Sequence, residues 1–310
     1  MIIHSISELI GNTPMLDLAP MVPMGGARLL AKMEMFNPGG SIKDRPAMAM
    51  VQAAENAGSL RRGMTIVEPT AGNTGIGLAL VGNLKGYKTV FYVPDKMSIE
   101  KISLMRLYGA EVHLVPRQLG MPECIRRARA YAETRGNCFV PQQFANPANP
   151  GQAENILGPE IYEQLGFYPD GLAIGAGTGG TFTGLARWLK RNNPNGQCWL
   201  VQPEGSVFKG GPKGDYQVEG IGNSFIPETL DLSIADKIVD IPDQTSFERC
   251  KELGQKMGIL VAGSSGANLE ACIQLCMELG EDKTVITVFP DNIERYASKD
   301  WVKQIAEGAL

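Results

Sequence analysis

Histidine is almost missing from this 310-residue chain, which carries only His4 and His113. Two imidazoles so placed cannot build a zinc site or a hydrolytic triad, so no metal centre is expected. No apolar stretch approaches the roughly 20 residues that span a bilayer. The formal charge of −4 is spread without a basic run, which removes electrostatic support for nucleic-acid binding. The opening Met1-Ile-Ile-His-Ser-Ile-Ser-Glu-Leu-Ile10 lacks the basic region and cleavage site of a secretory signal. Cysteine is present but unpatterned: Cys124, Cys138, Cys198, Cys250, Cys272 and Cys276 show no pairing and no C-x-x-C spacing. Cys272 and Cys276 share a helix face without a third ligand nearby, so reduced core thiols in a cytoplasmic protein are expected.

What is present is alternation. Apolar runs of strand length (Thr65 to Val67, Thr89 to Val93, Glu111 to Val115, Gly171 to Ile174, Cys198 to Val201, Val285 to Phe289) alternate with helical patterns such as Glu100 to Leu107 and Glu123 to Thr134. That order predicts an α/β fold with parallel sheets and right-handed crossovers. The length suits two lobes. The proline-rich Asn146-Pro-Ala-Asn-Pro150 is the candidate hinge, dividing a smaller mobile lobe, residues 41–146, from a larger lobe made of 1–40 and 147–310.

Three glycine-rich stretches sit at turns leading into helical patterns. The first, Phe36-Asn-Pro-Gly-Gly-Ser-Ile-Lys-Asp-Arg45, sets Lys43 at a helix start. The positive helix end there should depress the ammonium pKa and free an amine able to hold a carbonyl cofactor as a Schiff base. The second, Glu68-Pro-Thr-Ala-Gly-Asn-Thr-Gly75, follows a strand and opens a helix, an arrangement whose backbone N–H groups suit a carboxylate or phosphate. The third, Gly175-Ala-Gly-Thr-Gly-Gly-Thr181, has the form of a phosphate cradle. Either glycine loop alone is equally served by a tight turn packing a helix on a sheet. Two anion loops plus a helix-start lysine call for a cofactor with both a phosphate and an aldehyde, which is pyridoxal phosphate.

These three stretches, in this order, resemble the cysteine synthase and cystathionine β-synthase family of fold type II pyridoxal-phosphate enzymes, a two-lobed, tryptophan synthase β-like fold. The likeness runs from Ile10-Gly-Asn-Thr-Pro14 to Pro290-Asp291 and Arg295-Tyr296. It implies that Lys43 forms the Schiff base and acts as acid and base at the substrate α-carbon. Asn73 would hydrogen-bond the cofactor's ring oxygen. Thr70, Ala71, Gly72, Asn73 and Thr74, with Gln143, would hold the substrate carboxylate. Gly175, Ala176, Gly177, Thr178, Gly179, Gly180 and Thr181 would hold the phosphate, and Ser264 of Gly263-Ser-Ser-Gly-Ala-Asn268 would face the pyridine nitrogen. A neutral hydroxyl there makes a weaker electron sink than a carboxylate, which favours β-elimination over transamination.

The implied reaction joins O-acetylserine to sulfide through an aminoacrylate, giving L-cysteine and acetate. Homocysteine as acceptor, giving cystathionine, and cysteine as donor, releasing hydrogen sulfide, are the alternatives. Departures bear on that choice. Ala71 stands where many relatives have serine, and Ala153-Glu-Asn-Ile-Leu157 replaces a histidine and paired threonines. Glu219-Gly-Ile-Gly222 leans to the cystathionine β-synthase branch, yet Asn223 replaces that branch's usual tyrosine. Gly210-Gly-Pro-Lys-Gly214 reads as a mobile loop at the mouth or a plain surface turn. The length leaves no room for a haem-binding extension or regulatory module, so a bare catalytic core is expected. The resemblance further implies a homodimer and a pocket able to dock a partner enzyme's C-terminal peptide.

Overall fold

Short apolar runs closed by proline or glycine become the strands. The computed structural model describes residues 2–70 and 72–308. Its strands are β1 (Met15–Asp17), β2 (Arg28–Met33), β3 (Thr65–Pro69), β4 (Lys88–Pro94), β5 (Glu111–Val115), β6 (Cys138–Phe139), β7 (Gly171–Gly175), β8 (Gln197–Pro203), β9 (Lys237–Ile241) and β10 (Thr284–Phe289). The helices are α1 (Asp44–Asn56), α2 (Asn73–Lys85), α3 (Ile99–Leu107), α4 (Gly120–Arg135), α5 (Ala148–Gln152), α6 (Gly158–Leu165), α7 (Gly180–Asn192), α8 (Asp243–Met257), α9 (Gly263–Leu279) and α10 (Asp300–Ala306).

The strands form two sheets. One is six-stranded in the order β1-β2-β10-β7-β8-β9, and the other four-stranded in the order β5-β4-β3-β6. Every pairing is parallel except β1 with β2. Parallel sheets need both faces covered, and the period of two along each strand supplies two apolar faces. Leu29, Trp199, Val201, Val285 and Phe289 enter one core with α8 and α9, while Leu30, Leu200, Ile286 and Val288 enter a second with α7. The smaller sheet buries Ile66, Phe91 and Val93 against α1 and α2, and Val67 and Val90 against Ala128 of α4.

The expected strands all form, each extended by at most a few residues, and β1, β2, β6 and β9 are additional. Asn146 to Pro150 leads into α5, where Asn149 and Pro150 are buried. Asn149 Nδ2 donates to the carbonyl of Gln143 at 2.8 Å and to Thr178 Oγ1 at 3.0 Å, so this connector is bonded on both sides. All six cysteines carry free thiols. Burial raises each of them, Cys276 and Cys250 to about 12. Among the described residues no helix is long and apolar enough to cross a membrane.

Candidate active site

The C-terminal ends of parallel strands are where open α/β sheets leave backbone groups free to bind ligands. Here the ends of β3, β7 and β10 lead to the 70–74 loop, the 175–181 loop and Asp291, respectively.

Lys43 is the residue immediately before α1, at its N-cap. The turn before it is stitched to the end of β10: Ile42 N–H donates to Pro290 O at 2.9 Å, and Ser41 bridges Asp291. Arg295 closes the turn from the other side by donating to Gly39 O. Gly40 has φ +74°, where an L side chain is strained, and a Cβ there would also push the Arg295 guanidinium aside. Burial lowers the Lys43 amine below the ordinary lysine range, and the Asp291 carboxylate only partly offsets it. Desolvation rather than the helix terminus is therefore the leading cause of the lowered pKa. The neighbouring Asp44 is fully buried, and burial raises its carboxyl to about 7 despite the hydrogen bond from Gly39 N–H and the field of Arg295.

The 70–74 loop is braced from within. Thr70, fully buried, accepts from Gly72 N–H at 3.2 Å and Gly75 N–H at 3.1 Å. Asn73 Nδ2 donates to Asp291 Oδ2 at 2.7 Å while its Oδ1 accepts from Arg295 Nη1 at 3.0 Å, so the amide's orientation is set. Thr74 Oγ1 donates to Gln143 Oε1 at 2.6 Å, and Gln143 Nε2 donates to Pro69 O at 3.0 Å. Glu68 accepts from the N–H groups of Gln142 and Gln143, both at 2.9 Å. Complete burial raises its carboxyl to about 7, against those bonds. Thr74 and Gln143 are thus brought together, Thr70 is turned inward, and Ala71 lies outside the described residues.

The 175–181 loop is floored by chain from elsewhere. A Cβ on Gly175 would strike Ile221, one on Gly177 the carbonyl of Gly220, one on Gly179 Leu230, and one on Gly180 Asn149. With that side filled, glycine is required for the loop to lie flat. Gly175 N–H donates to Asn268 Oδ1 at 2.8 Å, and Ala176 N–H to Val201 O at 3.2 Å. Among the described residues no acceptor takes the N–H of Gly177, Thr178 or Gly179. These donors precede the first turn of the 13-residue α7, whose initial N–H groups also have no intrahelical acceptor. Such a row of amides at a helix's positive end has the donors to accept an oxyanion. Ser264 lies in the first turn of α9, 1% exposed, and its Oγ is 3.9 Å from where a Cβ of Gly220 would sit.

A desolvated lysine amine, free amides at a helix start and a neutral hydroxyl next to the loop's floor match, in donor type, the aldehyde, phosphate and ring nitrogen of pyridoxal phosphate. Three residues without a prior assignment complete the site: Asp291, Arg295 and Asn268, which also ties α9 to Val288 O at 2.9 Å. The sequence signal for Asp291 is its place just past the strand Thr284–Phe289, and Asn268 ends the small-residue run Gly263-Ser-Ser-Gly-Ala that opens α9.

Three comparisons bear on this geometry. The family model described as pyridoxal-phosphate dependent enzyme matches residues 6–291. A cysteine synthase from Staphylococcus aureus (strain Mu50) is 45% identical over 298 residues, 96% of each chain. An O-acetylserine dependent cystathionine beta-synthase from Bacillus subtilis is 41% identical, covering 100% of this chain and 99% of that one. The crystal structure of the enzyme of the same description from Helicobacter pylori superposes with a TM-score of 0.92 at 40% identity, covering 96% of this chain and 98% of that one.

Proposed function

This chain belongs to the pyridoxal-phosphate dependent enzymes, in their cysteine synthase and cystathionine β-synthase group, and from that premise we propose that it joins O-acetylserine to sulfide, giving L-cysteine and acetate. The observation that carries the reading is the desolvated Lys43 held between a glycine turn and Asp291. When bound, pyridoxal phosphate supplies an electron sink for charge that develops at the substrate α-carbon.

The protein's own residues divide the remaining work. Lys43, its pKa lowered by burial, takes the α-proton and returns it. The amides of Asn73 and Thr74, beside the Thr74–Gln143 pair, would hold the substrate carboxylate, while the amides of Gly177, Thr178 and Gly179 and those opening α7 would hold the cofactor phosphate. Ser264 would face the ring nitrogen with a neutral hydroxyl, which would disfavour transamination and leave loss of a β-substituent as the easier course. Residues 41–146 close on the remainder to exclude water from the reacting centre. The reading includes a cytoplasmic homodimer whose site also docks a partner enzyme's C-terminal peptide.

The B. subtilis and H. pylori relatives support a second acceptor, homocysteine. A competition decides between them: O-acetylserine with equal sulfide and homocysteine, products identified by mass. Mostly cysteine is the expected outcome. Mostly cystathionine overturns the choice of acceptor, and neither product overturns the choice of donor.

A second variant tests the phosphate loop. In Gly177→Ala the new methyl meets the Gly220 carbonyl, a backbone atom that cannot swing away. Affinity for pyridoxal phosphate, followed by absorbance titration, is expected to fall about tenfold, the equivalent of ~1.4 kcal/mol of loop strain. Unchanged affinity would remove this loop from cofactor binding.

A further inference from the structure

Besides the junction at Lys43, the two sheets meet along a second seam made of charges. Lys101, in the first turn of α3, is 2% exposed, with its Nζ 2.7 Å from Glu219 Oε2 and 3.8 Å from the centre of the Tyr296 ring. The other oxygen of Glu219 takes Lys299 Nζ at 2.6 Å, and the same ammonium donates to Lys96 O at 2.9 Å. Beside them Ser298 donates through N–H and Oγ to the Glu100 carboxylate, both at 2.8 Å. A seam needed only for stability would be better served by apolar side chains, because desolvating an ammonium and a carboxylate consumes most of what their attraction returns.

One end of this ion pair touches the 70–74 loop, and the other is joined in the chain to the floor of the 175–181 loop. The aliphatic stem of Lys101 lies against Gly72, where a Cβ would come within 2.5 Å of Lys101 Cδ and where φ is +137°. Glu219 is followed directly by Gly220 and Ile221, the floor under Gly177 and Gly175. Tyr296, under the Lys101 ammonium, donates to Asp291 Oδ2 at 2.7 Å, the oxygen that also receives Asn73.

We propose that Lys101 and Glu219 form a latch between the lobes, coupling the 70–74 loop to the 175–181 loop, and that both are positioning residues for the donor amino acid. The inference rests on the pyridoxal-phosphate reading above and adds a role for two residues that touch neither substrate nor cofactor. When the latch is shut, the stem of Lys101 props Gly72 and Asn73 in place. When it parts, the 70–74 loop loses that prop and the floor of the 175–181 loop loses its tie to α3.

The test compares Lys101→Met, which keeps a long apolar stem without the charge, with Glu219→Gln and the double variant, all loaded with pyridoxal phosphate. Hydrogen exchange of the amides in 72–76 and 218–222 should rise about tenfold in either single variant, with β2 and β10 unchanged. The KM for O-acetylserine should rise about tenfold in each single variant while kcat moves less than about threefold, and the double variant should match the singles instead of reaching the roughly hundredfold product expected of independent sites. The proposal is overturned if Glu219→Gln leaves exchange in 72–76 at its native rate, or if the single effects multiply. Should Lys101→Met fail to fold, the more exposed Glu219 carries the same test alone. Failure of the functional reading looks different: no cofactor uptake and no turnover, with the exchange comparison in cofactor-free protein still deciding the latch.

Discussion

Lys43→Ala should lower turnover by at least about a thousandfold, the scale of losing a positioned acid and base, with no comparable loss of fold. No hydrogen bond or ion pair to another described residue depends on the Lys43 amine, so its removal leaves no orphaned partner. The melting temperature should therefore stay within a few degrees of the native value. Lys43→Arg should be equally inactive, because a guanidinium keeps its proton and cannot act as the free amine. Covalent capture supplies a readout independent of turnover. Borohydride reduction of the protein with pyridoxal phosphate should label the peptide carrying Lys43 and leave the Ala variant unlabelled. Activity within tenfold of native, or a label on another lysine, would remove Lys43 from the mechanism.

The largest stability loss should come two residues further on, at Arg45→Met. Arg45 donates through Nε and Nη2 to Glu34 and through Nη1 and Nη2 to Glu160, at 2.7–2.9 Å. Lys32, fully buried, completes the group by pairing with Glu160 at 2.5 Å, while Thr13 donates to both carboxylates. Two positive and two negative side chains balance; removing Arg45 leaves two buried carboxylates sharing one ammonium, a loss of about 3–5 kcal/mol. Chemical denaturation should show it as a lower midpoint with an unchanged slope.

The pH dependence of that loss has a definite sign. Burial alone would raise Glu160, but Arg45 and Lys32 hold it at about 2, below the usual 4.5. A depressed carboxylate contributes its stability above the unfolded value and loses it as pH falls toward the folded one. The gap between native and Arg45→Met protein should thus be full at pH 7 and narrow between about 4.5 and about 2. A gap that is flat across that window would mean that Arg45 acts through packing alone.

The buried network also explains what the sequence does not disclose. Strands β3, β4, β5, β7, β8 and β10 are legible because each is a short apolar run bounded by proline, glycine or a charged residue. Strand β2 is hidden by Lys32, which reads as a surface lysine until Glu160, 128 positions away, is brought to it by α6. The glycine spacing gives the place of Lys43 and of both glycine loops, since it is local information. The direction of a side chain is not local. Nothing in Thr70-Ala-Gly-Asn-Thr74 says that the Thr70 hydroxyl caps its own loop while Thr74 reaches Gln143. Likewise the lowered pKa of Lys43 follows from burial, which the tertiary fold creates, and is only partly offset by Asp291, 248 positions away in the chain.

The central position of β10 imposes an order in time. Strand β2, complete at Met33, has only the three-residue antiparallel β1 beside it until Phe289 has been made, because its parallel neighbour is β10. At the usual 5–20 residues per second a ribosome needs about 13–50 s to cover that interval. Throughout it the Lys43 turn lacks Pro290 and Asp291, the groups that pin it. The nascent chain can therefore finish its four-stranded sheet, residues 65–139, long before the Lys43 turn has its partners, and that turn is pinned only when β10 is threaded between β2 and β7.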